Sequence, residues 1–309
     1  MFDFSKPRSN FQNPHLSLTN LPSKQQVINE IKQNPILSPI FKTLAFTEND
    51  IINSYANLID YVQEQNDPNR LFITNIKRGY NGQINFTKTL NHKSPYITDY
   101  KLLNNIKFKY ISSPMTSESL SHLQITSESE SGFKHMMEIN SPWLINENKF
   151  RGFFLYGDAE SSRNLMLSAL TNEFALMNKK VAYLNINNLD SYSKTFIRRN
   201  SEDIVSEIND FLTSILYLDV IIFDELGLKK FSNWFLETFL EPLLTECVAN
   251  KKIVIFGSYY TPELLDKQFF KDGYKDDRNG LTPMAKKILM LINKLSNYRS
   301  LWIGNKKDK

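Results

Sequence analysis

Beyond Lys149 the chain breaks into short apolar runs separated by amphipathic stretches, and this alternation restricts it to a narrow set of folds. The runs are Phe153–Tyr156, Val181–Ile186, 219–223, Ile253–Phe256 and Leu301–Ile303. Between the first two, Met166, Ala169, Leu170, Phe174 and Met177 recur at helical spacing, and before the third Ile204, Ile208, Phe211, Leu212 and Ile215 do the same. Strands that are apolar throughout are buried on both faces, and strands alternating with helices form a parallel sheet covered on both sides. The expectation is an α/β core over residues 146–309 built on a parallel five-stranded sheet.

The preceding residues have a different texture. Val27, Ile28 and Ile31 share one helical face that ends before Pro35. Thr47 and Asp50 bracket the start of a second helix carrying Ile51, Ile52, Tyr55, Leu58, Ile59 and Val62, which stops before Asp67-Pro68. Leu71, Ile73, Ile84 and Phe86 alternate around Tyr80-Asn81-Gly82, a hairpin signal. Residues 1–110 therefore form a small α+β domain, with Tyr80, Ile84, Phe86 and Leu90 expected in its packing. Residues 111–145, rich in Ser and Glu, are expected as a linker with a short helix near Ser119–Leu123.

A length of 309 residues fits two domains, and 22 Phe supply ample core. The single cysteine, Cys247, excludes an internal disulfide and any zinc site built from several thiolates, so no zinc is expected. His92 is then a surface or hairpin residue. Neither a signal peptide nor a membrane span is apparent, and a soluble cytoplasmic protein with no membrane partner is expected. A net charge of +4 permits nucleic-acid contact without demanding it.

Two segments about 65 residues apart carry the chemistry. FFLYGDAESSRNLM runs from a strand through Gly157 into a helix, where a phosphate-binding loop would stand. LDVIIFDELG ends an apolar strand on Asp224-Glu225, the form of a Walker B segment, in which the Asp orients Mg²⁺ and the Glu polarises an attacking water.

With these pieces in order the chain resembles the bacterial replicative-helicase loaders, the primosomal DnaI family of AAA+ proteins. RGFFLYGD is similar to that family's strand into Walker A and DVIIFDELG to its Walker B. FSNWFLETFLEPLLTE is similar to the following helix, KKIVIFGSYYTPELL to the sensor strand, and AKKILMLINKLSNYRSLWIGNKK to the closing helix and strand. TENDIINSYANLIDYVQEQND and IKRGYNGQINFTKTLNHKSP resemble its helicase-binding module, and YISSPMTSESL the entry into the core. The resemblance implies a P-loop NTPase-like core, a hexameric replicative DNA helicase and single-stranded DNA as partners, self-association on the helicase, and a role in helicase loading during DNA replication.

It also implies site residues, and here the chain departs from the pattern. In G-x-x-x-x-G-K-[ST] the last three places hold the glycine, the lysine on the phosphates and the hydroxyl on Mg²⁺; counted from Gly157 they are Ser162, Arg163 and Asn164. Ser162 adds a Cβ, Arg163 replaces a point charge by a planar fork, and Asn164 brings a larger group than a hydroxyl. Glu160 adds negative charge to the loop. ATP with Mg²⁺ on Asp224 is the implied cofactor; the altered loop predicts residual binding at most and impaired or lost hydrolysis. Lys287 stands for the arginine of the C-terminal helix, Ser258-Tyr259 for the sensor's polar residue, and Arg278 in the neighbourhood of the arginine finger. DNA-binding candidates are Arg198, Arg199, Lys229, Lys230 and Tyr259, with Lys251-Lys252 and Lys306-Lys307 as further basic pairs. Two other readings stay open: an active AAA+ ATPase loader with a non-standard P-loop, and a transposition-type AAA+ DNA-binding protein.

Overall fold

In a computed structural model the structure describes residues 23–146, 152–198, 204–269, 275–276, 280–281 and 283–304. Arg199, Arg278, Lys306 and Lys307 lie outside them, as does the side chain of Arg198. The chain divides into two compact units, Met1–Ile97 and Thr98–Lys309.

The first unit opens with α1 (Lys24–Gln33), whose end is closed reciprocally by the Ser23 hydroxyl on the Gln26 N–H and the Gln26 side chain on the Ser23 N–H. Then come α2 (Ser38–Thr43), α3 (Glu48–Asn53) and α4 (Tyr55–Gln65). Thr47 and Asp50 make a second reciprocal cap, as their spacing predicts. The single helix expected after it is broken at Ser54 into α3 and α4. Strands β1 (Phe72–Arg78) and β2 (Ile84–Leu90) pair antiparallel. Ile28, Ile31, Leu37, Ile51 and Leu58 form the core, with Phe41, Ile76 and Phe86 packed on it. Tyr80 corrects an expectation: it stands fully exposed at the hairpin tip, because Gly79 and Gly82 close the turn through backbone bonds and leave its ring outside. Arg78 clasps the unit, donating from Nε to the Leu44 carbonyl at 2.8 Å and from Nη2 to the Ala45 carbonyl and Asp50, each at 2.9 Å.

The second unit carries α5 (Ile97–Asn105), β3 (Ile106–Lys107), α6 (Glu128–Asn146), β4 (Gly152–Tyr156), α7 (Arg163–Leu176), β5 (Val181–Asn185), α8 (Ile186–Arg198) and α9 (Ile204–Leu216). It continues with β6 (Val220–Leu226), α10 (Asn233–Phe235), α11 (Glu241–Ala249), β7 (Ile253–Ser258), α12 (Pro262–Phe269), β8 (Lys275–Asp276), β9 (Gly280–Leu281), α13 (Pro283–Leu295) and β10 (Ser300–Trp302). A π-helical turn, Leu236–Leu240, joins α10 to α11 ahead of Pro242, which has no N–H for the α pattern.

Six strands form one parallel sheet in the order β10-β4-β7-β6-β5-β3. The five expected apolar runs are all present; the sixth strand is Ile106–Lys107, paired with Val181–Ala182 and too short to show a period. Residues 111–145 are likewise more than a linker: Leu120, Leu123, Phe133 and Met137 are buried with Phe153, Leu155, Ile222 and Ile255 on one sheet face. Alternate residues Phe154, Phe223 and Phe256 point to the other face, into a cluster with Phe196, Phe211 and Phe239. Deleting one such ring, Phe154→Ala, is a change of about 3–5 kcal/mol.

Candidate functional site

All six strands run the same way, so Gly157, Asp224 and Ser258 arrive together at their carboxyl ends. β7 lies between β4, which leads into Gly157, and β6, which carries Asp224. Close packing demands glycine twice here. A Cβ on Gly157 would lie 2.3 Å from the Ile303 carbonyl oxygen, and one on Gly257 would lie 2.2 Å from Asp224 Oδ1. On β6 the register shifts between Phe223 and Leu226, and Glu225 takes a left-handed φ of 68°. With this irregularity the adjacent carboxylates of Asp224 and Glu225 both reach the same guanidinium.

Arg163, the first residue of α7, is only 3 % exposed, and its guanidinium is consumed inside the protein. Nε donates to Asp224 Oδ1 at 3.1 Å, and Nη2 to Glu225 Oε1 at 3.3 Å. Nη1 donates to the carbonyls of Gly157 at 2.9 Å and Ser258 at 2.8 Å. The Tyr259 ring lies against it, 4.2 Å from centroid to guanidinium carbon, while the Tyr259 hydroxyl donates to Glu225 Oε2 at 2.7 Å. Asp224 is fully buried; its Oδ1 also accepts from the Glu225 N–H at 2.8 Å, and its Oδ2 from the Tyr183 hydroxyl at 2.6 Å. Burial, and then the neighbouring Asp224 charge, push the Tyr183 hydroxyl well above the ordinary phenol range. Burial and the bond to Glu225 raise Tyr259 in the same direction.

Four of the loop's own N–H groups also have acceptors inside the protein. Gly157 N–H donates to the Ser258 carbonyl at 3.1 Å, and Ser161 N–H to the Asp158 carbonyl at 3.3 Å. Glu160 N–H donates to Asp158 Oδ1 at 3.0 Å, and Ser162 N–H to Glu130 Oε1 at 3.3 Å. Glu130, on α6, is 1 % exposed. Its other oxygen accepts from the Thr126 N–H at 2.6 Å and hydroxyl at 2.7 Å. Burial by itself would raise its pKa, but the hydrogen bonds from Thr126 and Ser162 outweigh that and hold the carboxyl below its ordinary value. A carboxylate thus sits on the end of α7 where a phosphate-binding loop aims its N–H groups at an anion.

In this arrangement the residues do not form a seat for a magnesium nucleotide. Arg163, at the place expected for the P-loop lysine, points inward, Asp224, expected to orient a metal, is sealed by Arg163 and Tyr183, and the Ser162 N–H at the start of α7 already has Glu130 as acceptor. Asn164 turns its Oδ1 back onto the Leu165 N–H at 2.8 Å. Among the described residues no cluster of His, Cys, Asp or Glu is arranged to hold a metal.

The remaining candidates are dispersed. Lys287 on α13 pairs with Glu241 on α11, apart from the Arg163 network. Lys229 bridges to Asp190 at 2.9 Å and lies 5.6 Å from the Phe231 ring, so much of its charge is compensated. Lys230 is exposed on the adjoining turn. Tyr259, expected as a DNA-stacking residue, has one ring face on Arg163 and its hydroxyl on Glu225, which places it in the carboxylate network. Sequence reasoning did not find Tyr183 or Glu130. Thr126-Ser127-x-x-Glu130 is a capping signature that marks the start of α6, but nothing local reveals the reach to Ser162; Tyr183 reads as one more strand residue.

A parallel α/β sheet with a glycine turn leading into a helix, and an Asp-Glu pair two strands away, defines the layout of a P-loop nucleotide-fold protein. Comparison with known proteins gives the following similarities. The chromosomal replication initiator protein DnaA of Mesoplasma florum is 29% identical over 147 residues, 45% of this chain and 32% of that protein, so the chain spans about a third of this relative's length. Among solved structures, DnaI is 18% identical over 61% of this chain and 92% of its own, with a TM-score of 0.48. The DnaC helicase loader is 14% identical over 60% and 96%, with a TM-score of 0.46. No protein-family model matches the chain. Among the described residues no helix is long and apolar enough to cross a membrane.

Proposed function

We propose that this protein acts in DNA replication as a helicase-loader-like factor of the AAA+ type that has exchanged its nucleotide chemistry for a fixed internal contact. The observation that carries the reading is the bond from Arg163 Nε to Asp224 Oδ1, which joins the P-loop position to the Walker B position. A chain that keeps the strand order and the glycine turn of a nucleotide fold, yet ties its cation and carboxylates to each other, works through binding rather than turnover. The ordered resemblance of its segments to the primosomal DnaI family, and the stretch similar to a replication initiator, support the setting.

In this reading the first unit engages a hexameric replicative helicase, and the second presents the sheet's carboxyl edge and its basic residues to single-stranded DNA. Assembly on the helicase supplies the repeated contacts that ATP binding would otherwise organise. Binding is expected to be independent of ATP.

Two measurements on the full chain test this. Calorimetric titration with ATP, with and without Mg²⁺, is expected to give no saturable binding at micromolar concentration and no phosphate release; micromolar, Mg²⁺-dependent binding with turnover overturns the nucleotide part. Capture of the replicative helicase from the cell by the tagged chain, equal with and without ATP, is expected. Failure to retain it removes the helicase role and leaves the fold standing.

A further inference from the structure

A second constellation lies at the opposite end of the sheet, where the strands begin. Lys107 ends the short edge strand β3, Lys180 precedes β5, and Tyr217 and Leu218 precede β6; with Phe108, Tyr110 and Ser214 they line a groove of about 290 Å³. Because β5 and β6 are parallel, Lys180 and Tyr217 stand where these strands begin, while Asp224 lies toward the carboxyl end of β6. None of its residues belongs to the site described above.

Its chemistry is basic and aromatic. Among the described residues neither the Lys107 nor the Lys180 ammonium pairs with a carboxylate. Lys109 adds a third charge beside Lys107, its Nζ donating to the carbonyls of Leu102 at 3.0 Å and Leu103 at 3.3 Å. Burial first, and then the Lys107 charge, lower the Lys109 pKa. The acidic neighbour, Asp219, accepts from the Lys180 backbone N–H at 2.7 Å.

Two aromatic faces stand open beside these charges. Tyr217 is 76 % exposed and Tyr110 67 % exposed. Tyr110 is backed by Tyr192 at 5.5 Å and Phe108 at 6.0 Å between ring centroids. The turn that presents it is strained: Phe108 has a left-handed φ of 57°, which a bulky residue rarely adopts, and its carbonyl accepts from the Ile111 N–H at 2.9 Å. Exposed tyrosines flanked by unpaired lysines match what a nucleotide strand offers, a flat base and a phosphate at each step. An acidic peptide would use the lysines and leave the rings idle.

We propose that this groove is a binding site for single-stranded nucleic acid, with bases stacked on Tyr110 and Tyr217 and the phosphodiester backbone passing Lys107 and Lys180. It does not rest on the helicase-loading reading, since a chain that retains no helicase would still bind a strand here.

The test is fluorescence anisotropy of a labelled oligothymidylate with the full chain over a series of salt concentrations. Tyr110→Ala and Tyr217→Ala are each expected to weaken binding by roughly fivefold or more, while Tyr110→Phe keeps it. Lys107→Gln with Lys180→Gln is expected to reduce the slope of log affinity against log salt by about 1.4, roughly 0.7 for each lost phosphate contact. Circular dichroism and melting of each variant confirm that it folds. Independently, photocrosslinking of an iodouracil-substituted strand to the unmutated chain is expected to map to Tyr110 or Tyr217. No binding by the parent chain, binding unaltered in folded variants, crosslinks confined to other residues, or equal displacement by poly-glutamate overturns the proposal.

Discussion

Arg163 Nε lies 3.1 Å from Asp224 Oδ1, with the two side chains 3 % and 0 % exposed. Two charges sealed in this way are costly to bring together, and only dense hydrogen bonding offsets the lost hydration. Here the guanidinium reaches two carboxylates and two carbonyls, and Asp224 accepts from Arg163, Tyr183 and the Glu225 N–H. The result is a fixed tie between the start of α7 and the end of β6.

Removing one partner is therefore expected to be worse than removing both. Arg163→Ala leaves Asp224 charged and buried and should lower unfolding stability by about 3–5 kcal/mol, whereas Arg163→Met with Asp224→Leu should recover most of that loss. Urea denaturation of Arg163→Met, of Asp224→Leu and of the double variant checks this. Equal losses that simply add would mean that the pair is not coupled.

Glu130 ties α6 to α7, so Glu130→Ala is expected to cost about 1–3 kcal/mol by stranding the Ser162 and Thr126 donors. Its carboxyl is held below the ordinary value in the folded state. The stabilisation is then present above the unfolded carboxyl range and lost as pH falls through the lowered folded pKa. Thermal melts from pH 7 downward should show this acid slope in the parent chain and a shallower one in Glu130→Gln.

In the first unit, the Thr47 backbone N–H and the Arg78 guanidinium bring the Asp50 carboxyl down to about 2. Its contribution, on the order of 1 kcal/mol after allowance for solvent screening, is complete above the unfolded value of about 3.9 and disappears as pH approaches 2. NMR titration of the Asp50 side chain should place its midpoint near 2, and Arg78→Ala should move that midpoint upward.

Cys247 is buried in the aromatic core, and burial pushes its thiol up to about 12. Since the thiolate is the reactive form, native protein at pH 8 should resist iodoacetamide while urea-unfolded protein is alkylated rapidly, with intact-mass spectrometry as the readout. Fast labelling of the native chain would contradict this burial.

Much of this architecture could be inferred from local pattern. Ser23, Thr47 and Ser232 mark helix starts by contacts within three residues, and the apolar runs at Phe153, Val181, Val220 and Ile253 mark buried strands by composition. Gly157 and Asp224 declare a turn and an acidic strand end in the same way. The break at Ser54 and the strand at Ile106–Lys107 escaped because each is shorter than the period that would reveal it.

The content of the site belonged to tertiary structure. Arg163 read as an altered lysine, with nothing nearby to say that it would turn inward; that follows from a Ser258 carbonyl 95 residues later and an Asp224 carboxylate 61 residues later. Tyr183 and Tyr259 join it because strand order and register bring them there, and register depends on the whole packed sheet, while Glu130 reaches the Ser162 N–H from α6. The sequence by itself determined the five longer core strands, most helix starts and the places of the charged groups, since these depend on neighbours a few residues away. Which charges neutralise one another, and so whether the loop opens to a ligand or closes on itself, only the assembled sheet decided.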